Sequence, residues 1–334
     1  MKAVAWSDPH SLSIEDRPEP SASPGQLVVR MTSVGICGTD LHLYKGEFQA
    51  RKGVVAGHEI AGVVVSGDGL AAGTAVAVDP MLSCLHCASC REGQSSVCQA
   101  STLMGISADG GMQEYLAAPA ANCYPLPPGI DPQLGSLAEP AAVAIRGIQR
   151  AEIPMGARVL VLGAGPIGLM CAMLLRDRAG EVAITARYAH QAAAALALGA
   201  SAAFEPGSDD LKRWSRARRP DVVVETVGGT ADTLAEAFRV VRPGGTIVAI
   251  GVFTGHTQIN GFKLVNEEIK LVGSVMYGRA GSTSEYGVAA SLLGRYASDL
   301  PRFQTAVFPL ARAREGFEAA VDKTTGNLKV ALVP

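Results

Sequence analysis

Apolar positions fall into two textures along the chain. Up to about residue 120 they come in short runs, at 26–30, 60–65, 75–78 and 112–118, with Pro18, Pro20 and Pro24 ahead of the first. Short apolar runs bounded by turn formers predict strands, so this part reads as mainly β and rich in turns. From about residue 140 apolar strands alternate with helices: strands at 158–162, 182–185, 221–225 and 246–251, helices at 169–178 and 189–198. That alternation predicts a parallel sheet with helices packed on it. Beyond residue 276 it fades into two helices, 284–296 and 312–321, and a closing strand, 328–333.

The first strand of the alternating part runs into Gly163-Ala164-Gly165-Pro166-Ile167-Gly168, a G-x-G-x-x-G turn that opens the next helix. Backbone N–H groups and the positive end of the helix can hold a pyrophosphate there, so Gly163, Gly165, Pro166, Ile167 and Gly168 are candidate cofactor-binding residues. The expected architecture is α/β: a Rossmann doubly wound parallel sheet over 145–276, preceded by a mainly β part. After the second strand the chain reads Thr185-Ala186-Arg187-Tyr188, with no acidic residue to bind the ribose hydroxyls of NAD. Arg187 can meet a 2′-phosphate and Tyr188 can pack near the adenine, which favours NADP over NAD.

Composition narrows the rest. At 334 residues two domains are expected, and with 48% hydrophobic and 18% charged residues both can bury cores. Lys+Arg 29 against Asp+Glu 31 gives a net charge of -2, which offers a polyanion nothing, so no nucleic acid partner is expected. The basic cluster at 212–219 reads as a solvated helix end. The first residues lack the apolar core of a signal peptide, which points to the cytoplasm. The apolar run 159–175 is broken by Gly163, Gly165, Pro166 and Gly168, so no membrane span is expected.

Seven cysteines are present, and four of them, Cys84, Cys87, Cys90 and Cys98, follow the spacing C-x2-C-x2-C-x7-C within a lobe at about 82–100. The lobe has little apolar content of its own. Four thiolates around one Zn2+ would close it and supply the missing stability, with an iron–sulfur cluster as the alternative. A second group of ligand types lies upstream, in Gly35-Ile-Cys37-Gly-Thr39-Asp-Leu-His42 and Gly57-His58-Glu59. Cys37 offers a thiolate, Thr39 a hydroxyl that can pass a proton, and His42 an imidazole that can carry it onward. Neighbouring strand residues face opposite ways, so His58 and Glu59 share a metal only at a bend, which Gly57 permits. Glu139 adds a carboxylate ahead of Pro140, which suits the first turn of a helix.

With these segments in this order, the chain resembles the zinc-dependent medium-chain alcohol dehydrogenases over nearly its whole length. The branch is that of the sorbitol and butanediol dehydrogenases, whose G-H-E and E-P motifs stand here as Gly57-His58-Glu59 and Glu139-Pro140. The resemblance implies a mainly β, GroES-like catalytic domain made of 1–144 and 277–334, a catalytic zinc on Cys37, His58 and Glu59, and a carboxylate, Glu139, that can bind the metal or its water. It implies a structural zinc on Cys84, Cys87, Cys90 and Cys98. Thr39 and His42 would form a proton relay running through the nicotinamide ribose, and Lys329 would stand near the pyrophosphate. The substrate would be a small alcohol or carbonyl, and the protein a homodimer or homotetramer. Leu43, Tyr44, Phe48, Ile106, Phe253 and Tyr277 are candidates for the substrate pocket. Two positions depart from the family: Arg146 where many members have His, and Gly73-Thr-Ala-Val76 in place of G-D-R-V. Two other functions stay open at this point, a zinc-free NADPH-dependent reductase of activated double bonds and a nucleotide-binding redox sensor.

Overall fold

The chain leaves its first unit and returns to it. In the computed structural model, which describes residues 1–280 and 283–334, one unit comprises Met1–Ala142 with Gly278–Pro334 and the other Val143–Tyr277.

The first unit is built on a sheet of seven strands. In spatial order these are Gln304–Pro309, Lys329–Val333, Gln26–Gly35, Glu59–Gly67, Ala75–Val78 and Cys123–Pro125, with Tyr115–Pro119 also paired to Gln26–Gly35. All neighbours are antiparallel except the first two, which are parallel and joined through the helix Ala313–Val321. Leu27, Val29, Met31, Ile60, Val64, Val76 and Val78 fill the core, and Phe317 of that helix is fully buried between Trp6 and Tyr44, with ring centroids 5.9 and 5.1 Å away. The register places Gly35 between Glu59 on one neighbouring strand and Ala331 on the other. Lys329 precedes Ala331 by two residues and so points to the same face.

The second unit is a six-stranded parallel sheet in the order Ala202–Phe204, Glu181–Thr185, Arg158–Leu162, Val222–Glu225, Thr246–Ala249, Lys270–Gly273. Numbered along the chain this is 3-2-1-4-5-6, the dinucleotide-binding order. Its central strands are continuous Val/Leu/Ile runs because both faces are covered. The helix after the glycine turn is Pro166–Leu175, beginning three residues before the expected 169, because Gly165 caps it and Pro166 fits the first helical position. Among the described residues no helix is long and apolar enough to cross a membrane.

Candidate active site and metal centres

Cys37 stands at the N-cap of the short helix Gly38–Tyr44, in extended backbone (φ -89°, ψ 163°). The turn is held by Asp40, whose Oδ2 accepts from the Cys37 N–H at 2.8 Å. The other oxygen, Oδ1, lies 3.3 Å from His58 Nδ1. Asp40 is fully buried and His58 nearly so, and the Cys37 sulfur is within hydrogen-bond reach of the His58 ring. Burial opposes charge on His58, but Asp40 and Cys37 outweigh it and hold the imidazole well above its ordinary pKa. Asp40 went unrecognised as a site residue in the sequence. Its one signal was an acid three positions after a potential cap, the place from which a side chain reaches back to the cap N–H.

His58 precedes the strand Glu59–Gly67 at a bend made by Gly57 (φ +88°), so two adjacent residues escape strict alternation. Glu59 is 1% exposed. Its Oε1 is ion-paired with Lys329, which also donates to the Ile36 carbonyl at 3.2 Å. The pair forms across Gly35, where the middle strand carries no side chain, and a Cβ there would overlap Glu59 Oε2. That Oε2 is buried with no hydrogen-bond partner. Burial disfavours the Lys329 ammonium, yet Glu59 and Cys37 beside it raise its pKa above the ordinary lysine value. Lys329 is thus a buried counter-ion to Glu59, 4% exposed.

Glu139 is buried in the first turn of the helix Ala138–Arg150. Burial pushes its carboxyl up to about 8; His58 and Lys329 oppose the shift, and Glu59 and Asp40 add to it. The site thus gathers a thiol, an imidazole and two carboxylates, although among the described residues only the four cysteines of the lobe already stand at metal-ligand spacing. A borderline-soft divalent cation suits this donor set, and the orphaned Glu59 Oε2 is the buried atom it would satisfy.

Thr39 and His42, three residues apart on the helix Gly38–Tyr44, share a face, and both are half-buried. His42 Nδ1 meets the carboxylate of Glu47. Leu43 and Tyr44 are 5% exposed and belong to the core of the first unit. Phe48 and Ile106 are half-buried against the same core.

In the lobe, the four sulfurs of Cys84, Cys87, Cys90 and Cys98 lie within 4.8 Å of one another. Cys98 and Cys84 are 3.5 Å apart, Cys87 and Cys98 3.9 Å, Cys84 and Cys90 4.0 Å. Tetrahedral zinc with bonds of about 2.3 Å requires sulfurs roughly 3.8 Å apart, so the cluster already has the size of a zinc site. Backbone N–H groups of Cys84 and Cys87 point at the sulfurs of Cys98 and Cys84, both at 3.4 Å, as thiolates require. Hydrogen bonds from the His86 and Cys87 backbone hold Cys84 down at about 6, while burial lifts Cys90 to about 12.

In the second unit the glycine turn uses each glycine differently. Gly163 adopts φ +101°, Gly165 faces open space from which a ligand can approach the protein backbone, and a Cβ on Gly168 would collide with the Gly163 carbonyl. Thr185 Oγ1 accepts from Gly163 N–H at 2.9 Å and so ties the turn to the second strand. Pro166 and Ile167 begin the helix that follows. Arg187 is exposed just past that strand; Tyr188 caps the next helix, Ala189–Ala197, and stacks on His190 at 5.6 Å.

Residues 23–128 match the family model of the alcohol dehydrogenase GroES-like domain, and residues 166–293 that of the zinc-binding dehydrogenases. L-galactonate-5-dehydrogenase of Escherichia coli K12 is 31% identical over 337 residues, covering 96% of this chain and 95% of its own. A candidate zinc-binding dehydrogenase of Sinorhizobium meliloti 1021, solved bound to NADP, superposes with a TM-score of 0.90 at 30% identity, over 100% of this chain and 99% of the other. A short chain alcohol dehydrogenase of Escherichia coli CFT073, complexed with NADH, gives 0.90 at 26% identity over the same shares.

Proposed function

The chain belongs to the zinc-binding medium-chain alcohol dehydrogenases, and from that premise we propose which residues carry its chemistry. It is a zinc-dependent oxidoreductase that moves a hydride between a nicotinamide cofactor and an alcohol or carbonyl. We assign the catalytic metal to Cys37, His58 and Glu59, with Glu139 as a further carboxylate, and a structural zinc to Cys84, Cys87, Cys90 and Cys98. The observation that carries the first assignment is the buried, unpartnered Glu59 Oε2 beside the Cys37–His58 pair.

When bound, zinc supplies Lewis-acid polarisation of the substrate oxygen and the dinucleotide supplies the hydride acceptor or donor. The protein's own part is to hold donors and move a proton. Asp40 Oδ1, 3.3 Å from His58 Nδ1, is placed to orient the imidazole, so that Nε2 would be the nitrogen that holds the metal. Lys329 balances Glu59 while the carboxylate is not ligating. Thr39 and His42, on one helical face, form the proton hand-off to solvent.

The substrate we propose is a secondary alcohol of the polyol or sugar-acid class, as the name of the galactonate dehydrogenase relative suggests. Metal analysis with a panel of secondary alcohols, diols, polyols and sugar acids, each run with NAD and NADP, tests the whole reading. Near two zinc ions per chain with turnover is expected. Alkene reduction without zinc, or zinc loss on oxidation with no turnover, would overturn it.

For the cofactor we propose NADP, on the exposed Arg187. A guanidinium makes paired, charge-assisted hydrogen bonds to a 2′-phosphate, whereas NAD offers it neutral hydroxyls. Arg187→Ala should weaken NADP about ten- to a hundred-fold and change NAD little. Equal losses for both cofactors would mean that Arg187 reads no phosphate.

We also propose a homodimer or homotetramer. The strand Lys270–Gly273 is the edge of its sheet, and the nearby helix Gly261–Asn266 exposes Phe262 (76%) and Val265 (73%). Open edges and apolar patches are normally covered. Light scattering that found only monomer at micromolar concentration would contradict this.

A further inference from the structure

The helix Gly38–Tyr44 ends in a way that fixes what His42 touches. Lys45 is its C-cap and Gly46 follows at φ +74°. Two backbone bonds close the turn: Gly46 N–H donates to the Leu43 carbonyl at 3.0 Å, and Glu47 N–H to the His42 carbonyl at 2.9 Å. This double closure is the Schellman motif, which brings the third-last helical side chain against the one two residues past the cap. That contact is usually apolar. Here the two side chains are His42 and Glu47, and the carboxylate meets Nδ1. Phe48 lies against the imidazole as well, 5.3 Å between centroids. The arrangement is imposed by the backbone, because only glycine takes the Gly46 conformation readily and a Cβ there would also crowd Pro9.

We propose that Glu47 is the positioning residue for His42: it fixes the imidazole as the Nδ1–H tautomer, so that Nε2 takes up and releases the proton of the reaction. This rests on the reading of His42 as the outer member of the hand-off. An ionised carboxylate can only accept, so the nitrogen facing it carries the hydrogen and the other is left as the acceptor. The hydrogen bond from His42 lowers the Glu47 carboxyl pKa, which keeps it ionised. During alcohol oxidation a proton arrives at Nε2 and the ring becomes imidazolium, with Glu47 still ionised beside it. The same nitrogen then gives the proton to water, which reaches a side chain 25% exposed. Carbonyl reduction runs the same steps backwards. Glu47 is not itself protonated, as with the carboxylate that orients histidine in a catalytic triad.

Histidine-selective 15N labelling of the zinc- and dinucleotide-loaded protein reads the tautomer directly. The His42 signals are picked out among the six histidines by difference against His42→Asn. Wild type should show Nδ1–H alone, and Glu47→Gln, whose amide can donate or accept, a mixture. Turnover of Glu47→Gln should fall about ten-fold with KM for the alcohol unchanged. An exposed pair contributes little to stability, so the melting temperature should move by less than about 3 °C. In a His42→Asn background the second change should add nothing. An Nε2–H tautomer in wild type, or unchanged tautomer and turnover in Glu47→Gln, overturns the proposal. Two failures stay distinguishable. If His42→Asn slows turnover and Glu47→Gln does not, the role of Glu47 alone falls; if His42→Asn leaves turnover intact, the hand-off reading fails and takes this one with it.

Discussion

Replacing Cys37 with serine should lower turnover by at least about a thousand-fold and remove one of two zinc ions, while the protein melts where it did before. The loss follows from ligand chemistry. A serine hydroxyl stays protonated at neutral pH and cannot replace a thiolate, and changes even to residues behind a metal ligand cost 10- to 100-fold. The preserved stability follows from the position of Cys37. It is an N-cap, where serine is among the favoured residues, and the bond that holds the turn runs from its backbone N–H to Asp40. Kinetics, metal content and a melting curve on one preparation suffice. Substantial turnover with two zinc ions retained would sink the assignment of Cys37.

Cys90→Ser should do the opposite. The lobe consists of a four-residue helix, Ala88–Arg91, and a single 3-10 turn, Ser95–Val97, and in these two elements only Ser95 is buried. With no core to fall back on, it depends on the metal, and structural zinc contributes folding free energy outright. Losing a ligand should lower the melting temperature by about 5 to 15 °C and open 84–98 to proteolysis. The lobe is also tied to the rest of its unit by the Arg279 N–H donating to Ser95 Oγ at 2.9 Å, so its unravelling should be felt beyond itself. Activity per folded molecule should persist at low temperature. An unchanged melting temperature with that zinc absent would show that the lobe stands without metal.

Legibility in the sequence tracked how local each feature was. The strand expected at 75–78 is Ala75–Val78 and that at 158–162 is Arg158–Leu162, because apolar runs between turn residues are set by near neighbours. The glycine turn and the cysteine spacing carry their chemistry within fifteen residues. Met112 to Ala118 was less faithful. The strand is Tyr115–Pro119, and Met112 and Gln113 instead pair with Val4 and Ala3. The helix Thr233–Val240 and the edge strand Lys270–Gly273 gave no signal clear enough to place. What was lost at the site was lost to distance or to capping. Glu59 and Lys329 meet only through the register of three strands, which no periodicity reveals. Asp40 and Glu47 act through the start and the end of the helix that bears His42, where capping geometry and not periodicity sets their contacts.

The seam at Gly35 also sets a timetable. Glu59 and Lys329 are separated by 270 residues. At 5–20 residues per second of synthesis, the carboxylate exists for roughly 14 to 54 s before its counter-ion is made. The intervening unit, Val143–Tyr277, is contiguous and complete in that interval, whereas the sheet around Gly35 still lacks Lys329–Val333. For that time Glu59 cannot be buried against lysine. Until that strand arrives the carboxylate keeps its water, so closing the seam is among the last steps open to the chain.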